Sequence, residues 1–262
     1  MHSSKKIENG LEDRKREEKI GLWILGVAGF FLTSFFLAPL TVSSDTINSL
    51  SGRANVFDYA TKDGWGSWGN KQLANDNDRV DAKIFAWSEI NPYAAVIYAF
   101  GDLNCHNKHE RSWNLNGNQL PVCTRDIGIF LGAALAGIFF FRRGLNRWTI
   151  RDTMLSTLPT ITQEWIYSNN QRNLIVCSLA AICILPLVLD GGIQALTSYE
   201  STHLLRLITG LPFGFFIMLL FGSSLAAKPK LFGLDASSVI LPAGVRFSLK
   251  DKSLDENIEE SE

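Results

Sequence analysis

Residues 21–42, GLWILGVAGFFLTSFFLAPLTV, contain no Asp, Glu, Lys or Arg, and with Ile20 ahead of them the uncharged run extends from Ile20 to Val42. An apolar run of about 18 or more residues is long enough to cross the hydrocarbon core of a bilayer as a helix. A cleaved signal peptide is the rival reading, but its apolar region spans only about 7–15 residues and ends at a small-x-small site. This run is longer and no such site is placed cleanly behind it, so a retained anchor is expected. On its N-terminal side, residues 1–19 mix Lys5, Lys6, Arg14, Lys15, Arg16 and Lys19 with acids and read as a solvated polar tail. On the other side, residues 43–86 are rich in Gly, Asn and Asp, a turn-forming composition. Trp65 and Trp68 of that stretch are expected at the headgroup level, where indole is favoured.

The bulk composition conceals this organisation. At 262 residues, 46% hydrophobic, with net charge −1 and mean hydropathy +0.07, the chain would pass for a soluble one. Polar termini and one polar loop dilute several apolar runs. Pro92 to Leu103 is too short for an ordinary span and reads as a half-buried or re-entrant helix. Ile127 to Phe141 is uncharged, takes Thr124 to Asp126 into its first turn, and carries Gly128, Gly132, Ala136 and Gly137 at spacings that let another helix approach closely. The arginine-rich loop FRRGLNRWTIR follows, with Arg142, Arg143, Arg147 and Arg151, then an amphipathic stretch to about residue 171. Asn173 to Leu189 and Leu204 to Ala227 complete the apolar set, separated by DGGIQALTSYESTH. Cys177 and Cys183 fall inside the first of these and are expected as small core residues. The expected fold is all-α: a polytopic helical membrane bundle of about four transmembrane helices plus one re-entrant or half-buried helix. Residues 20–227 form the membrane domain, with an extracytoplasmic polar loop at 43–91 and a polar cytoplasmic tail at 228–262 whose acidic end is expected to be disordered.

Lys and Arg concentrate on the cytoplasmic side of membrane proteins. Four spans with a re-entrant Pro92–Leu103 put the N-terminal tail, the arginine loop and the KPK tail all in the cytoplasm. A full crossing there would send one basic cluster to the wrong side. The expectation is a multi-pass cell-membrane protein with both termini cytoplasmic, and the balanced charge gives no reason to expect a nucleic-acid partner.

Polar chemistry gathers on the other face. GDLNCHNKHERSWNLNGNQLPVCTRDIGIFLG, residues 101–132, packs cysteines, histidines, arginines and an acid against hydrophobic segments. Asp190 and Gln194 stand at the outer end of one span, and Ser201, Thr202, His203 and Arg206 at that of the next. A charge in hydrocarbon costs at least about 2.5–3.5 kcal/mol, so Asp190 and Arg206 need partners. The segments around Cys105–Asp126 and Asp190–Arg206 are therefore expected to meet in a single network.

The pattern CHNKHERSW, a glycine-containing loop, VCTRDIGIFLG and later DGGIQALTSYESTHLLRLITGLPFG resembles the DUF2085 family of predicted membrane proteins. Members of that family carry a CHQ-type motif, an RS pair, a C-x-R-D-x-G motif and a D-G-x-Q…ST…R…TG motif. The resemblance covers roughly residues 20–225, with Asn107 standing where glutamine is expected. It implies membrane architecture and points to Cys105, His106, Arg111, Ser112, Cys123, Arg125, Asp126, Asp190, Gln194 and Arg206; it supplies no reaction.

Several chemistries fit these residues. Cys105 and Cys123 on an oxidising face favour a disulfide. A metal site is the alternative, with Cys105, His106 or His109, and Cys123 as soft ligands and Asp126 as a fourth, although the spacing matches no standard zinc pattern. Arg111, Arg125, Arg206, Ser112 and Gln194 would suit an anionic lipid or isoprenoid phosphate, with His106 as acid or base and Asp126 or Asp190 orienting it. The alternative for the arginines is salt bridging to Glu110, Asp126 and Asp190. Walker, G-x-S-x-G and H-E-x-x-H motifs are absent from the sequence, and no cofactor is indicated. Two classes of function remain: a membrane enzyme acting on an anionic lipid-linked or membrane-soluble substrate, and a non-catalytic carrier or assembly subunit whose polar cluster is a structural clasp.

Overall fold

The computed structural model describes residues 14–47, 87–105 and 108–247. Trp65, Trp68, His106, Asn107 and the acidic C-terminal end lie outside the described residues. Among the described residues, four helices are long and apolar enough to cross a membrane. They are α1 (Lys15–Leu37, prolonged by a 3-10 turn to Thr41), α3 (Thr124–Arg143), α6 (Arg172–Leu196) and α7 (His203–Ala226). Between them lie the shorter α2 (Pro92–Asn104), α4 (Ile150–Leu155) and α5 (Thr160–Ser168), and one two-stranded hairpin, β1 (Asn114–Leu115) with β2 (Asn118–Gln119). At 1.5 Å per residue, α2 is roughly 20 Å long, short of the roughly 30 Å hydrocarbon core, as its short apolar run implies. The all-α membrane bundle expected from the sequence is the architecture observed.

Two helix limits differ from expectation. α1 begins inside the polar tail, at Lys15. α6 does not stop at Leu189 but runs through Asp190, Gly191 and Gly192 to Leu196. Adjacent glycines weaken a helix, yet the helix continues through them here. Cys177, expected in the core, is exposed on α6, the span least covered by the rest of the chain; Cys183 is buried as expected.

The chain divides into two compact units. One comprises residues 22–138 and 179–219. Its core is aromatic and aliphatic: Phe35, Ile47, Ala94, Ile97, Tyr98, Leu120 and Val122 are buried together. Phe31 stacks on Phe100 with centroids 4.0 Å apart, and Phe35 meets Phe130 edge-on at 5.1 Å. α2 starts at a Pro in its first turn behind Asn91, whose side chain accepts from the Ala94 N–H at 2.9 Å and donates to the Thr41 carbonyl at 3.0 Å. The helix entry and the end of α1 are thus tied through one side chain. α3 and α7 approach backbone to backbone. A methyl group at Gly128 would fall 2.6 Å from the Leu207 carbonyl oxygen, and side chains at Gly132, Gly210 and Gly214 would collide with the facing backbone. Of the small residues expected to admit a neighbour, Gly128 and Gly132 do so, and α7 answers with Gly210 and Gly214.

Asn116-Gly117 turns the hairpin, both with positive φ (56° and 72°), the two-residue turn whose twist matches antiparallel strands. The next residue, Asn118, is fully buried. Its side chain accepts from the Thr46 and Ile47 N–H groups (3.0 and 2.8 Å) and donates to the Pro39 and Ser43 carbonyls (3.0 and 3.1 Å). Both donors and the acceptor oxygen are satisfied, so burial of this amide carries no desolvation penalty.

The other unit comprises residues 1–21, 139–178 and 220–262. Leu155, Ile166 and Tyr167 of α4 and α5 bury against Phe232, Val239 and Leu241. The segment after α7 is therefore not all tail: its part up to residue 247 folds in short 3-10 turns onto these helices. Thr149 caps α4 by accepting from the Asp152 N–H at 3.0 Å. The Asp152 carboxylate, wholly buried, accepts from Thr149 Oγ1 (2.5 Å), Tyr167 OH (2.7 Å) and Arg151 Nη2 (2.9 Å), and pairs with Arg172 at 3.5 Å. Burial, and then the Asp152 charge, push the Tyr167 hydroxyl well above its ordinary range, so it stays a donor.

Candidate functional site at the ends of three membrane helices

Arg111, on the 3-10 turn between α2 and the hairpin, and Arg206, in the first turns of α7, converge on Glu200 in the short α6–α7 connection. Arg111 is bidentate, with Nε 3.0 Å and Nη2 2.5 Å from the two carboxylate oxygens. Arg206 adds Nη2 at 3.2 Å while its Nε donates to the Ser201 carbonyl at 3.0 Å. Gln194 on α6 donates to the same carboxylate. Glu200 is 49% exposed, whereas the Arg206 side chain is 2% exposed. The Arg111 hydrogen bonds, with both guanidinium charges behind them, hold the Glu200 carboxyl below its ordinary range.

A second pair lies beside the first. Arg125, one residue into α3, forms a salt bridge with Asp190 in the last third of α6, and the Tyr199 hydroxyl approaches the other Asp190 oxygen at 3.5 Å. Arg125 Nε and Ser201 Oγ are buried without hydrogen-bond partners among the described residues. His203 Nδ1 lies 3.4 Å from Thr124 Oγ1, which also donates to the Arg111 carbonyl at 3.3 Å. Ser112 is buried in the loop behind Arg111.

A third group completes the cluster. Cys105 ends α2, Cys123 immediately precedes α3, and Asp126 sits in the first turn of α3. Their Sγ, Sγ and carboxylate atoms lie within 4.8 Å of one another. The Cys123 N–H donates to Cys105 Sγ at 3.3 Å, and Cys123 Sγ–H donates to Asp126 Oδ2 at 3.2 Å. The hydrogen bond between the two thiols, with burial added, raises Cys105 well above the ordinary thiol range; the same bond holds Cys123 below it. The two cysteines lie close together but are not joined by the disulfide expected from the sequence. His109 is not part of this group; its ring lies 3.5 Å from Glu110.

The two segments expected to meet therefore do meet, through Arg111–Glu200 and Arg125–Asp190. They do not form the single network expected. Asp126 goes to the thiols rather than to an arginine, because the Arg125 side chain reaches across to α6 instead. Gln194, expected to remain available to a ligand, is bonded to Glu200. Sequence reasoning missed Glu200 itself. Its signal was positional: Glu200 is the acid in the short connection between the last two spans, six residues before Arg206. It missed the hairpin too, although Asn116-Gly117 is the usual mark of a two-residue turn.

Apolar spans, a short intervening helix and an ion-paired cluster at three helix ends define a polytopic helical membrane protein. The family model described as "Predicted membrane protein (DUF2085)" matches residues 105–220, which begins at Cys105 and takes in the whole cluster. An uncharacterised protein of Methanothermobacter thermautotrophicus is 30% identical over 110 residues, 42% of this chain and 77% of that protein. Another from Methanocaldococcus jannaschii is 28% identical over 123 residues, 47% of this chain and 64% of that protein. The chain belongs to the DUF2085 family of predicted membrane proteins. No solved structure matches it.

Proposed function

We propose that this protein lies in the cell membrane with both termini cytoplasmic, and that its cluster on the extracytoplasmic side receives an anionic group, phosphate or carboxylate, carried by a lipid-linked or other membrane-soluble molecule. The orientation is supported by the basic flanks. Arg14, Lys15, Arg16 and Lys19 begin α1, Arg142 and Arg143 end α3, Arg172 begins α6, and Lys228 and Lys230 follow α7. All belong to one compact unit, and the cluster belongs to the other.

The observation that carries the ligand reading is the character of Glu200. It is a half-exposed carboxylate on a connecting segment, yet it receives Arg111, Arg206 and Gln194 together. A planar anion held by a bidentate guanidinium and two further donors is how proteins hold a phosphate or carboxylate ligand. Glu200 occupies the position such a group would take, and an incoming anion displaces it without breaking a helix. The orphaned Arg125 Nε and Ser201 Oγ offer further donors next to it. Asp190, tied to Arg125, acts as a holder rather than as an acid or base, so Asp126 is the carboxylate left for chemistry. A non-catalytic clasp is the second reading, favoured because Arg111, Arg125 and Arg206 are each already ion-paired.

The two readings separate in a thermal-shift measurement on the full chain in detergent. Phosphatidylglycerol and an isoprenyl phosphate are titrated against phosphatidylcholine as the neutral reference. Stabilisation by the anionic species alone is expected, growing in Glu200→Gln and lost in Arg206→Met. Equal responses to all three lipids would leave only the clasp.

A further inference from the structure

We propose that Cys105, Cys123 and Asp126 bind a divalent cation of the zinc class. Three elements deliver the ligands: the end of α2, the residue before α3 and the first turn of α3. Their donor atoms already lie within 4.8 Å of one another. Tetrahedral zinc, with bonds of about 2.3 Å to sulfur and 2.0–2.2 Å to oxygen, holds its ligand atoms closer than that, so a small approach of the side chains closes the set.

Charge sorting within the cluster supports the assignment. Asp190 and Glu200 each meet a guanidinium, but the Asp126 carboxylate has no Arg or Lys within salt-bridge distance among the described residues. Its bonded partner is the Cys123 thiol at 3.2 Å. A part-buried carboxylate facing two buried thiols is a donor set able to carry three negative charges, and Asp126 has no ion-paired Lys or Arg among the described residues. A dication neutralises most of that charge.

The backbone is arranged to match. The Cys123 N–H points at Cys105 Sγ at 3.3 Å, and a backbone N–H aimed at a ligand sulfur is the outer-shell contact that steadies a thiolate. Donor chemistry selects the ion. Two thiolates favour zinc over calcium or magnesium, which take oxygen donors, and zinc has no redox chemistry to consume the thiols. With three protein donors, the fourth position is open to water or substrate, as in catalytic rather than structural zinc sites. The cation site stands independently of the anion reading above.

The test uses the full chain purified in detergent without chelator. Elemental analysis is expected to find stoichiometric zinc. Replacement by Co²⁺ should give the visible bands of a tetrahedral ion together with a thiolate-to-cobalt charge-transfer band. Competition against a chromophoric chelator should show affinity falling at least tenfold in Asp126→Asn and in Cys123→Ser, and unchanged in Cys177→Ser. If the cysteine variants fail to fold, the wild-type cobalt spectrum and zinc protection of Cys105 and Cys123 from alkylation decide the question. A chain that takes up no zinc, a cobalt spectrum without the thiolate band, or a purified chain linked Cys105 to Cys123 by a disulfide would overturn the proposal.

Discussion

Two acids in this protein collect arginines, and they do so in opposite ways. Asp152 is wholly buried in the first turn of α4, fixed by its own helix cap and held by Thr149, Tyr167, Arg151 and Arg172. Glu200 is 49% exposed on a connection and is held by Arg111, Arg206 and Gln194. In the first case the carboxylate is the buried, rigid member. In the second a buried arginine waits on a solvent-facing carboxylate. The difference teaches that an ion-paired cluster is not a single kind of object: a buried acid on a helix organises its surroundings, whereas here an exposed acid on a loop answers a buried guanidinium from the solvent side.

The largest effect should come from Asp152→Asn. It leaves the Arg151 and Arg172 charges against a neutral amide, and breaking a buried pair by removing one partner costs about 3–5 kcal/mol. Denaturant unfolding of the detergent-solubilised chain should show a loss of that size; a loss below about 1 kcal/mol would mean that the Asp152 group is as replaceable as the Glu200 group. Next in size is Gly132→Leu, which changes no charge but forces α3 from α7. Overpacking of this kind costs about 1–3 kcal/mol, and because the two helices carry Arg125 and Arg206 it should also disturb the cluster. A thermal scan with and without anionic lipid reads both consequences.

The smallest effect should be that of Glu200→Gln, within about 1 kcal/mol of wild type in the absence of ligand, as for other exposed pairs. Its pH behaviour sharpens the contrast. The folded-state Glu200 carboxyl lies below its ordinary value of 4.5. Its contribution is therefore fully present above that value and fades only as pH falls below it, through the depressed folded-state value. Wild type and Glu200→Gln should differ by a constant amount at neutral pH and converge only as pH falls below the ordinary carboxyl value of 4.5, through the depressed folded-state value. Convergence near pH 6 would contradict the Arg111 pairing.

Much of the architecture was legible because spans announce themselves by lack of charge, and Ile20–Val42 and Leu204–Ala227 could scarcely be read otherwise. The end of α6 was not, since Asp190-Gly191-Gly192 reads as a helix stop by the low helix propensity of glycine, yet the helix continues through it. The cluster was legible in its members but not in its pairings. Which arginine meets which acid depends on helix rotation, and sequence spacing fixes rotation within one helix but not between two. Asp126 illustrates the point, following Arg125 directly yet serving a different group.

Asn118 has a consequence for biosynthesis. The backbone groups it satisfies at Pro39, Ser43, Thr46 and Ile47 are made 71 to 79 residues before it. At ordinary elongation rates the ribosome needs roughly 4–16 s to cover that distance. For that interval the first helix is complete while those four backbone groups still await the Asn118 amide. The hairpin then satisfies all four of those backbone groups with one amide.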